Sequence, residues 1–167
     1  MYLGIDIGGT KTLVASLNDD GSIADQVKFE TPDDYQAFLT ELRNSLARLP
    51  AKDFLYAGIG MPGIIDRANN ASTWSGGNLT WKNSPIAKDV GAIANCRAVV
   101  ENDANVAALS EAKLVKDRYR TALYITLSTG VGSGYVVDGV LDPNTIDAEV
   151  GHMIYPSSDS ESGYRSW

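Results

Sequence analysis

Along residues 1–30 apolar side chains alternate with polar ones, and from residue 35 onward they recur at helical spacing. This pattern predicts strands at 2–7, 12–17 and 22–30, joined by short turns, and then a helix. The segment Thr31-Pro32-Asp33-Asp34 has the residues of a helix start: a capping hydroxyl, a proline and two acids. Pro50 ends the helical pattern.

The rest of the chain continues this succession of strands and helices. The predicted elements are, in order, a strand at 53–60, a loop at 68–84 rich in Asn, Ser, Gly and Trp, a helix at 85–95, a strand at 97–101, a helix at 104–117, and strands at 121–128 and 131–138. Such an order predicts an α/β fold, a mixed sheet flanked by helices. Residues 119–138 repeat the strand, glycine turn and strand of residues 2–17, so we expect one lobe at 1–118 and the beginning of a second, similar lobe at 119–167.

Composition narrows the class of protein. The 167 residues can bury a core, and the net charge of −7, without a long basic run, argues against nonspecific nucleic-acid binding. We expect no membrane association, because no apolar stretch is long enough to span a bilayer and no signal segment is recognisable. Cys96 is the only cysteine, which excludes an internal disulfide and a cysteine-based zinc site and favours a cytoplasmic location.

A glycine turn joins the first two predicted strands. Without a Cβ, Gly8 and Gly9 let backbone amides approach an anion, and Thr10 and Lys11 add a hydroxyl and a cation. Asp6 places a carboxylate where a hydrated metal ion could bind. These features predict a phosphate-binding turn, with an ordinary glycine hairpin as the alternative. The strand that follows excludes a Walker loop and a dinucleotide fingerprint, since both open a helix.

Three further segments offer groups that suit a sugar, and each has a plain structural alternative. Gly63 ends a strand, where backbone can approach a ligand or simply turn. In the predicted loop Asn78 is both donor and acceptor, like a sugar hydroxyl, and Trp81 offers an apolar face or packs in the core. Glu149 and His152, the only histidine, could contact a sugar or, for the histidine, a metal.

The segment Glu101-Asn102-Asp103 lies between an apolar strand and a helix. Asp103 is predicted to cap that helix, where the helix dipole keeps its carboxylate ionised. An ionised carboxylate at a strand end is a candidate base for a substrate hydroxyl, although capping alone is the usual role of such a residue. Asn102, placed to bind the same substrate, favours the functional interpretation.

A second glycine-rich turn, between residues 128 and 134, again joins two strands. Two such turns, one in each lobe, could hold a polyphosphate from opposite sides. With this turn the motifs, in order, resemble the signature of the ROK family, which contains sugar kinases such as glucokinases and N-acetylmannosamine kinases along with transcriptional repressors. The matching segments are Asp6-Ile7-Gly8-Gly9-Thr10-Lys11, Met61-Pro62-Gly63, Asn78, Glu101-Asn102-Asp103-Ala104-Asn105, Ser128-Thr129-Gly130-Val131-Gly132-Ser133-Gly134 and Glu149-Val150-Gly151-His152.

The resemblance implies an actin-like ATPase fold and transfer of the γ-phosphoryl of Mg-ATP to a hexose or amino-hexose. Asp103 would be the catalytic base, and Asp6 would bind Mg²⁺ through water. The residues implied to contact the ATP phosphates are Gly8, Gly9, Thr10, Lys11, Thr12, Ser128, Thr129, Gly130, Gly132 and Gly134. Those implied to contact the sugar are Gly63, Asn78, Asn102, Asp103, Glu149 and His152.

The chain departs from the family pattern in two ways. No cysteine follows His152 in the serine-rich segment 157–167, so we expect no structural zinc. Family members also continue well beyond the length of this chain, so we expect either a fragment or a half completed by another chain, and a homodimer stays open. The alternatives to a kinase are a sugar-sensing repressor, whose N-terminal helix-turn-helix is not in this sequence, and a non-catalytic sugar-binding fragment. The sequence does not distinguish between candidate sugars.

Overall fold

The structure of the chain is a computed structural model, which describes residues 1–75, 79–127, 131–148, 150, 155–156 and 164–165. It divides into two compact units, Met1–Asp103 and Ala104–Trp167. This division follows compactness alone, so the lobe boundary expected after residue 118 stays a prediction. In the described part of the chain, no helix is both long and apolar enough to cross a membrane.

The first unit is built on a mixed five-stranded sheet. The elements of this unit are β1 (Tyr2–Ile7), β2 (Lys11–Leu17), β3 (Ile23–Glu30), α1 (Tyr35–Arg48), β4 (Tyr56–Met61), β5 (Gly63–Asp66), β6 (Ala71–Ser75), β7 (Lys82–Ser84), α2 (Ile86–Ala94) and β8 (Arg97–Asn102). The strand order is β3-β2-β1-β4-β8, in which β1, β4 and β8 are parallel and β1, β2 and β3 form an antiparallel meander. The predicted α/β class with a mixed sheet is confirmed.

The core of this unit lies between one face of the sheet and the two helices α1 and α2. Alternate residues of the central strands point into it, as the period of two in a strand requires. The largest buried side chains of this core include Leu3, Ile7, Val14, Phe38, Leu42, Ile59, Met61, Ile86 and Val90. The residues between them in sequence, Asp6 and Gly60 among others, therefore belong to the opposite face.

The predicted start of the first helix is wrong by one turn. Asp34, not Thr31, is the N-cap of α1, and its carboxylate accepts a hydrogen bond of 2.8 Å from the amide of Ala37. Thr31 is buried instead and bonds to the glycine turn between β1 and β2. The hydroxyl of Thr31, which the local sequence predicts to cap the helix, therefore forms a long-range hydrogen bond instead.

The loop predicted at 68–84 contains two strands, so that interpretation is also wrong. β6 and β7 join β5 in a separate three-stranded antiparallel sheet. These strands are short and rich in Ser, Thr and Asn, so they lack the alternation of apolar residues that signals a strand. Asn70, in the turn before β6, and Asn83, within β7, adopt positive φ angles of 50°, a conformation that asparagine tolerates.

Trp81 lies in the core rather than in a solvated loop. It is 3% exposed, its ring centroid is 4.7 Å from that of Phe38, and its indole N–H donates to the carbonyl oxygen of Asp33 at 2.9 Å. Of the two interpretations of Trp81, packing in the core is therefore correct. The apolar face of its ring, which could have contacted a sugar, packs against other core side chains instead.

Helix α3 (Asp103–Val115) begins at the last residue of the first unit, and the rest of the helix belongs to the second unit. The strands of the second unit are β9 (Thr121–Leu127), β10 (Val131–Val137), β11 (Val140–Leu141), β12 (Tyr155–Pro156) and β13 (Tyr164–Arg165). β9, β10 and β11 form an antiparallel sheet in the order β11-β10-β9, and β12 pairs with β13. Ala108, Ala112 and Val136 form a small buried cluster between α3 and this sheet.

Candidate active site

The parallel strands β1, β4 and β8 end at the same edge of the first sheet, and each brings chemistry-bearing residues there. Asp6 is paired with Gly60 in β4, and Gly60 is paired with Glu101 in β8, so these three positions form one row on the face opposite the helices. Asn102 is the last residue of β8, and Asp103 opens α3. The structure therefore brings together Asp6 and Asp103, which stand far apart in the sequence.

The charge of Asp103 acts on the carboxylate of Asp6. Although Asp6 is exposed, partial desolvation raises the pKa of its carboxyl, the negative charge of Asp103 raises it further, and Lys28 lowers it. Lys28 lies in the same row of the sheet, two strands away, because it pairs with Leu13 and Leu13 pairs with Asp6. A cation bound near the two acids would relieve their repulsion.

The donor set at this edge fits a hydrated magnesium ion better than a protein-caged metal. Among the residues that the structure describes, no group of three or more His, Cys, Asp and Glu could hold a metal ion. Mg²⁺ in phosphoryl-transfer sites usually keeps several waters and takes one or two carboxylates plus substrate phosphates. Asp6 offers one such carboxylate, which could hold a hydrated ion through water.

Removal of the Asp6 charge is expected to stabilise the fold. Because the folded-state pKa is raised above the ordinary value of 3.8, the ionised carboxylate costs stability at neutral pH. Asp6→Asn should therefore raise the thermal midpoint at pH 7, and this gain should shrink as the pH falls through the raised pKa toward 3.8. Thermal denaturation between pH 3 and pH 8 measures it. Asp25→Asn, at an exposed acid on β3, is the control, and a gain that does not change with pH would contradict the prediction.

Thr31 fixes the glycine turn between β1 and β2. Its hydroxyl donates to the carbonyl oxygen of Gly8 at 2.8 Å and lies 2.9 Å from the hydroxyl of Thr12, while its amide donates to the carbonyl oxygen of Thr10 at 2.9 Å. The bonds from Thr31 go to carbonyl oxygens and use no amide of the turn, whereas the amide of Gly8 donates to the carbonyl oxygen of Lys11 at 3.0 Å. Thr10 and Lys11 are exposed, as a phosphate-binding role requires.

Thr12 has a structural role that the sequence did not indicate. Its side chain is fully buried, and its hydroxyl is the partner of Thr31. A side-chain contact between Thr12 and a phosphate does not fit this arrangement. Its assignment to the phosphate-binding residues stays a prediction for its backbone alone.

The role of Thr31 can be measured with two substitutions. Thr31→Val keeps the shape but removes the hydroxyl, so Gly8 and Thr12 lose a buried partner, and we expect a loss of about 1–3 kcal/mol in unfolding free energy. We also expect weaker nucleotide binding, because the turn is no longer pinned. Thr31→Ser keeps the hydroxyl and should stay close to the wild type in both respects. Equal effects of the two variants in denaturant unfolding and calorimetric titration would show that the hydroxyl is not responsible.

A network of hydrogen bonds orders the end of β8. The guanidinium of Arg67 meets the carboxylate of Glu101 through two bonds, Nε to Oε2 at 2.7 Å and Nη2 to Oε1 at 2.6 Å. Glu101 Oε1 also accepts the amide of Asn102 at 2.8 Å. The side-chain amide of Asn102 donates to the carbonyl oxygen of Gly63 at 3.3 Å. Gly63 has a φ of 111°, a conformation that favours glycine, so this position is constrained by its backbone.

In the second unit, Gly132 and Gly134 serve close packing of α3 on β10. A Cβ at Gly134 would lie 2.5 Å from the Cβ of Ala108 and 3.0 Å from the carbonyl oxygen of Ala104, and one at Gly132 would lie 3.1 Å from the Cβ of Ala104. The sequence motif alone predicts only phosphate binding for both glycines. That assignment stays a prediction, beside the packing role that the structure adds.

Two polar side chains of this unit form hydrogen bonds with the backbone at Ile146 and Val150. The hydroxyl of Ser133 accepts the amide of Val150 at 2.8 Å, and the side-chain amide of Asn105 donates to the carbonyl oxygen of Ile146 at 2.9 Å. Both side chains are buried. Ser133 lies within the glycine-rich stretch assigned to phosphate binding, and Asn105 had no predicted role. Only the fold shows which backbone groups these two side chains reach.

Several predicted site residues lie outside the described residues. They are Asn78, Ser128, Thr129, Gly130, Glu149 and His152. Most of the serine-rich segment 157–167, on which the expectation of no structural zinc rests, lies there as well. These assignments stay predictions.

Similarity to known proteins supports the family that the order of the motifs indicates. The sequence matches the ROK family over residues 2–163. It is 31% identical over 158 residues to a glucokinase of Streptomyces coelicolor, which covers 92% of this chain and 49% of that protein. It is 31% identical over 159 residues to an N-acetyl-D-glucosamine kinase of Haemophilus influenzae, covering 92% of this chain and 52% of that protein.

A solved structure gives the same result at the level of the fold. The ROK family glucokinase from Streptomyces griseus, in complex with glucose and AMPPNP, superposes with a TM-score of 0.80 at 29% sequence identity. The match covers 91% of this chain and 50% of that one. The chain thus spans about half the length of the relatives it matches. With its motifs in order and its mixed α/β sheet flanked by helices, the chain belongs to the ROK family.

Proposed function

We propose that this chain is part of an ATP-dependent sugar kinase, which transfers the γ-phosphoryl of Mg-ATP to a hydroxyl of a hexose or amino-hexose. The observation that carries the proposal is the convergence of Asp6, Asn102 and Asp103 at one sheet edge, in the unit that also holds the Gly8–Lys11 turn. Relatives named as glucokinase and N-acetyl-D-glucosamine kinase support the substrate class.

Asp103 is the proposed catalytic base. It is exposed and lies in the first turn of α3, where the positive end of the helix dipole favours a negative charge. In a loose phosphoryl-transfer transition state the attacking hydroxyl loses its proton late, so an ordinary carboxylate is a sufficient base. Its main contribution is to orient the sugar hydroxyl in line with the phosphoryl group and to accept its proton.

The nucleotide side of the proposal rests on Asp6 and the glycine turn. Mg²⁺, when bound, neutralises charge on the transferring phosphates. Asp6 would hold that ion through water. Partial desolvation and the charge of Asp103 raise the pKa of the Asp6 carboxyl, and a cation bound there would offset that repulsion. The exposed Thr10 and Lys11 would contact the phosphates. Gly132 and Gly134, with the neighbouring turn, are the proposed phosphate contacts of the second unit.

On the sugar side we propose Gly63, Asn78, Asn102, Glu149 and His152. Asn102 is 6% exposed, and its side-chain amide already bonds to the carbonyl oxygen of Gly63, so these two positions are held together. No structural zinc is expected, because the segment after His152 offers no cysteine. Without a zinc ion to bind, His152 has only the role of a sugar contact in this proposal.

Mg-ATP-dependent ADP release over a panel of sugars tests the proposal. The panel should contain glucose, mannose, fructose, N-acetylglucosamine and N-acetylmannosamine, assayed with this chain and with the complete gene product that contains it. Sugar-dependent release is expected from the complete protein. Sugar binding without release in either protein would contradict the kinase and favour a sugar sensor or a non-catalytic binding fragment.

A further inference from the structure

The pair formed by Arg67 and Glu101 joins two separate sheets of the first unit. Arg67 follows β5, which belongs to the small antiparallel sheet, and Glu101 lies in the edge strand β8 of the main sheet. Their side chains are 30% and 19% exposed, so solvent screens this pair only partly. Two short, parallel bonds between a guanidinium and a carboxylate fix the direction of both groups as well as their distance.

The carboxylate of Glu101 also holds the backbone just before Asp103, the candidate base. Glu101 Oε1 accepts hydrogen bonds from the guanidinium of Arg67 at 2.6 Å and from the backbone amide of Asn102 at 2.8 Å. The side-chain amide of Asn102 is held in turn by the carbonyl oxygen of Gly63. Because Asp103 is the next residue, a rotation of the Asn102 backbone would move the carboxylate of Asp103. A lysine at position 67 would keep the charge but could not form the two-pronged contact.

We propose that Arg67 is a positioning residue, which orients Glu101 so that the end of β8 presents Asn102 and Asp103 to the substrate. This inference rests on the proposed function of Asp103 as base. Arg67 was not among the residues singled out by the sequence, because nothing in a turn after a short strand indicates a partner 34 residues away.

A second arginine–carboxylate pair offers a matched control. Arg120 Nε lies 2.8 Å and 3.0 Å from the two carboxylate oxygens of Asp138, but these side chains are 76% and 58% exposed. Exposed pairs of this kind contribute little to stability. Arg120→Met therefore removes an arginine–carboxylate pair that involves none of Arg67, Glu101 and Asn102.

Steady-state kinetics of variants of the complete gene product test the proposal. The single variants are Arg67→Met, Arg67→Lys, Glu101→Gln and Arg120→Met, and the double variant combines Arg67→Met with Glu101→Gln. For Arg67→Met we expect kcat to fall roughly 10- to 100-fold, the KM for sugar to rise, and the KM for ATP to stay unchanged. Arg67→Lys should recover part of the loss. The double variant should be no worse than the poorer single variant, because both changes break one network. Arg120→Met should match the wild type.

Two results would overturn the proposal. One is a kcat for Arg67→Met that equals the wild-type or Arg120→Met value. The other is a lower kcat with both KM values unchanged, since a smaller folded fraction produces that pattern without any change at the site.

The amide resonance of Asn102 provides a readout that does not depend on activity. In Arg67→Met it should shift and lose protection from hydrogen exchange, and an unchanged resonance would contradict the proposed network. If the wild type itself releases no ADP with any sugar, the proposed function fails. The Asn102 resonance then still decides whether Arg67 orders the end of β8.

Discussion

Asp103→Asn should lower kcat of the complete gene product by about 10²–10⁴-fold, while binding of sugar and of ATP persists. The amide keeps the size of the side chain and its place in the first turn of α3, but it cannot accept the proton of the attacking hydroxyl. The loss should therefore fall on turnover rather than on affinity. Coupled measurement of ADP release gives kcat, and calorimetric titration gives the two affinities.

A control separates the base from general charge effects. Asp117→Asn removes an exposed carboxylate beyond the end of α3 and should leave kcat unchanged. Asp103→Asn also removes the charge that raises the pKa of Asp6, so in this variant the pKa of Asp6 should fall toward 3.8. Near-normal turnover in Asp103→Asn would exclude Asp103 as the base, whatever happens to the pKa of Asp6.

Among the glycines of the second unit that the structure describes, Gly134 should be the one at which an added methyl group destabilises the fold most. The new Cβ would lie 2.5 Å from the Cβ of Ala108 and 3.0 Å from the backbone oxygen of Ala104. Neither atom is the end of a flexible side chain, so α3 and β10 must move apart. Overpacking of this kind costs about 1–3 kcal/mol, and more when backbone must shift. Denaturant unfolding should show the loss, and hydrogen exchange should locate it in β9, β10 and α3.

Two further glycine substitutions calibrate this result. Gly132→Ala meets its nearest neighbours at 3.0 Å and 3.1 Å, both methyl groups, and should cost less than Gly134→Ala. Gly58→Ala, in β4, meets nothing within 4 Å and should be close to neutral. If Gly134 were needed only for phosphate contact, Gly134→Ala would weaken nucleotide binding and leave the unfolding free energy at the level of Gly58→Ala.

The sequence predicted those parts of the fold that local pattern controls. β1, β2, α2 and β10 were expected within one or two residues of their bounds, because alternation, helical spacing and glycine turns are local signals. β6 and β7 were missed, since short polar strands are stabilised by pairing with β5 rather than by their own residues. Thr31 was misassigned for a similar reason: its partners Gly8 and Thr12 are distant in the chain.

The candidate site was predicted as a set of motifs but not as a geometry. That Asp6 and Asp103 would share one edge followed from the parallel strands, once the strands were known. The links that hold this edge, such as Arg67 to Glu101 and Asn102 to Gly63, could not be predicted, because they join elements whose pairing only the fold establishes. The packing role of Gly134 was hidden in the same way, behind a motif that suggested phosphate binding.

The most direct test of the account is to quantify sugar phosphate and ADP in the same reaction, by mass spectrometry, for the wild type and Asp103→Asn of the complete gene product. If Asp103 is the base of a sugar kinase, the wild type should form equal amounts of the two products with at least one hexose or amino-hexose, and the variant should form both at least about 100-fold more slowly. ADP without sugar phosphate would identify an ATPase rather than a sugar kinase. Equal product formation by wild type and variant would contradict the role of Asp103.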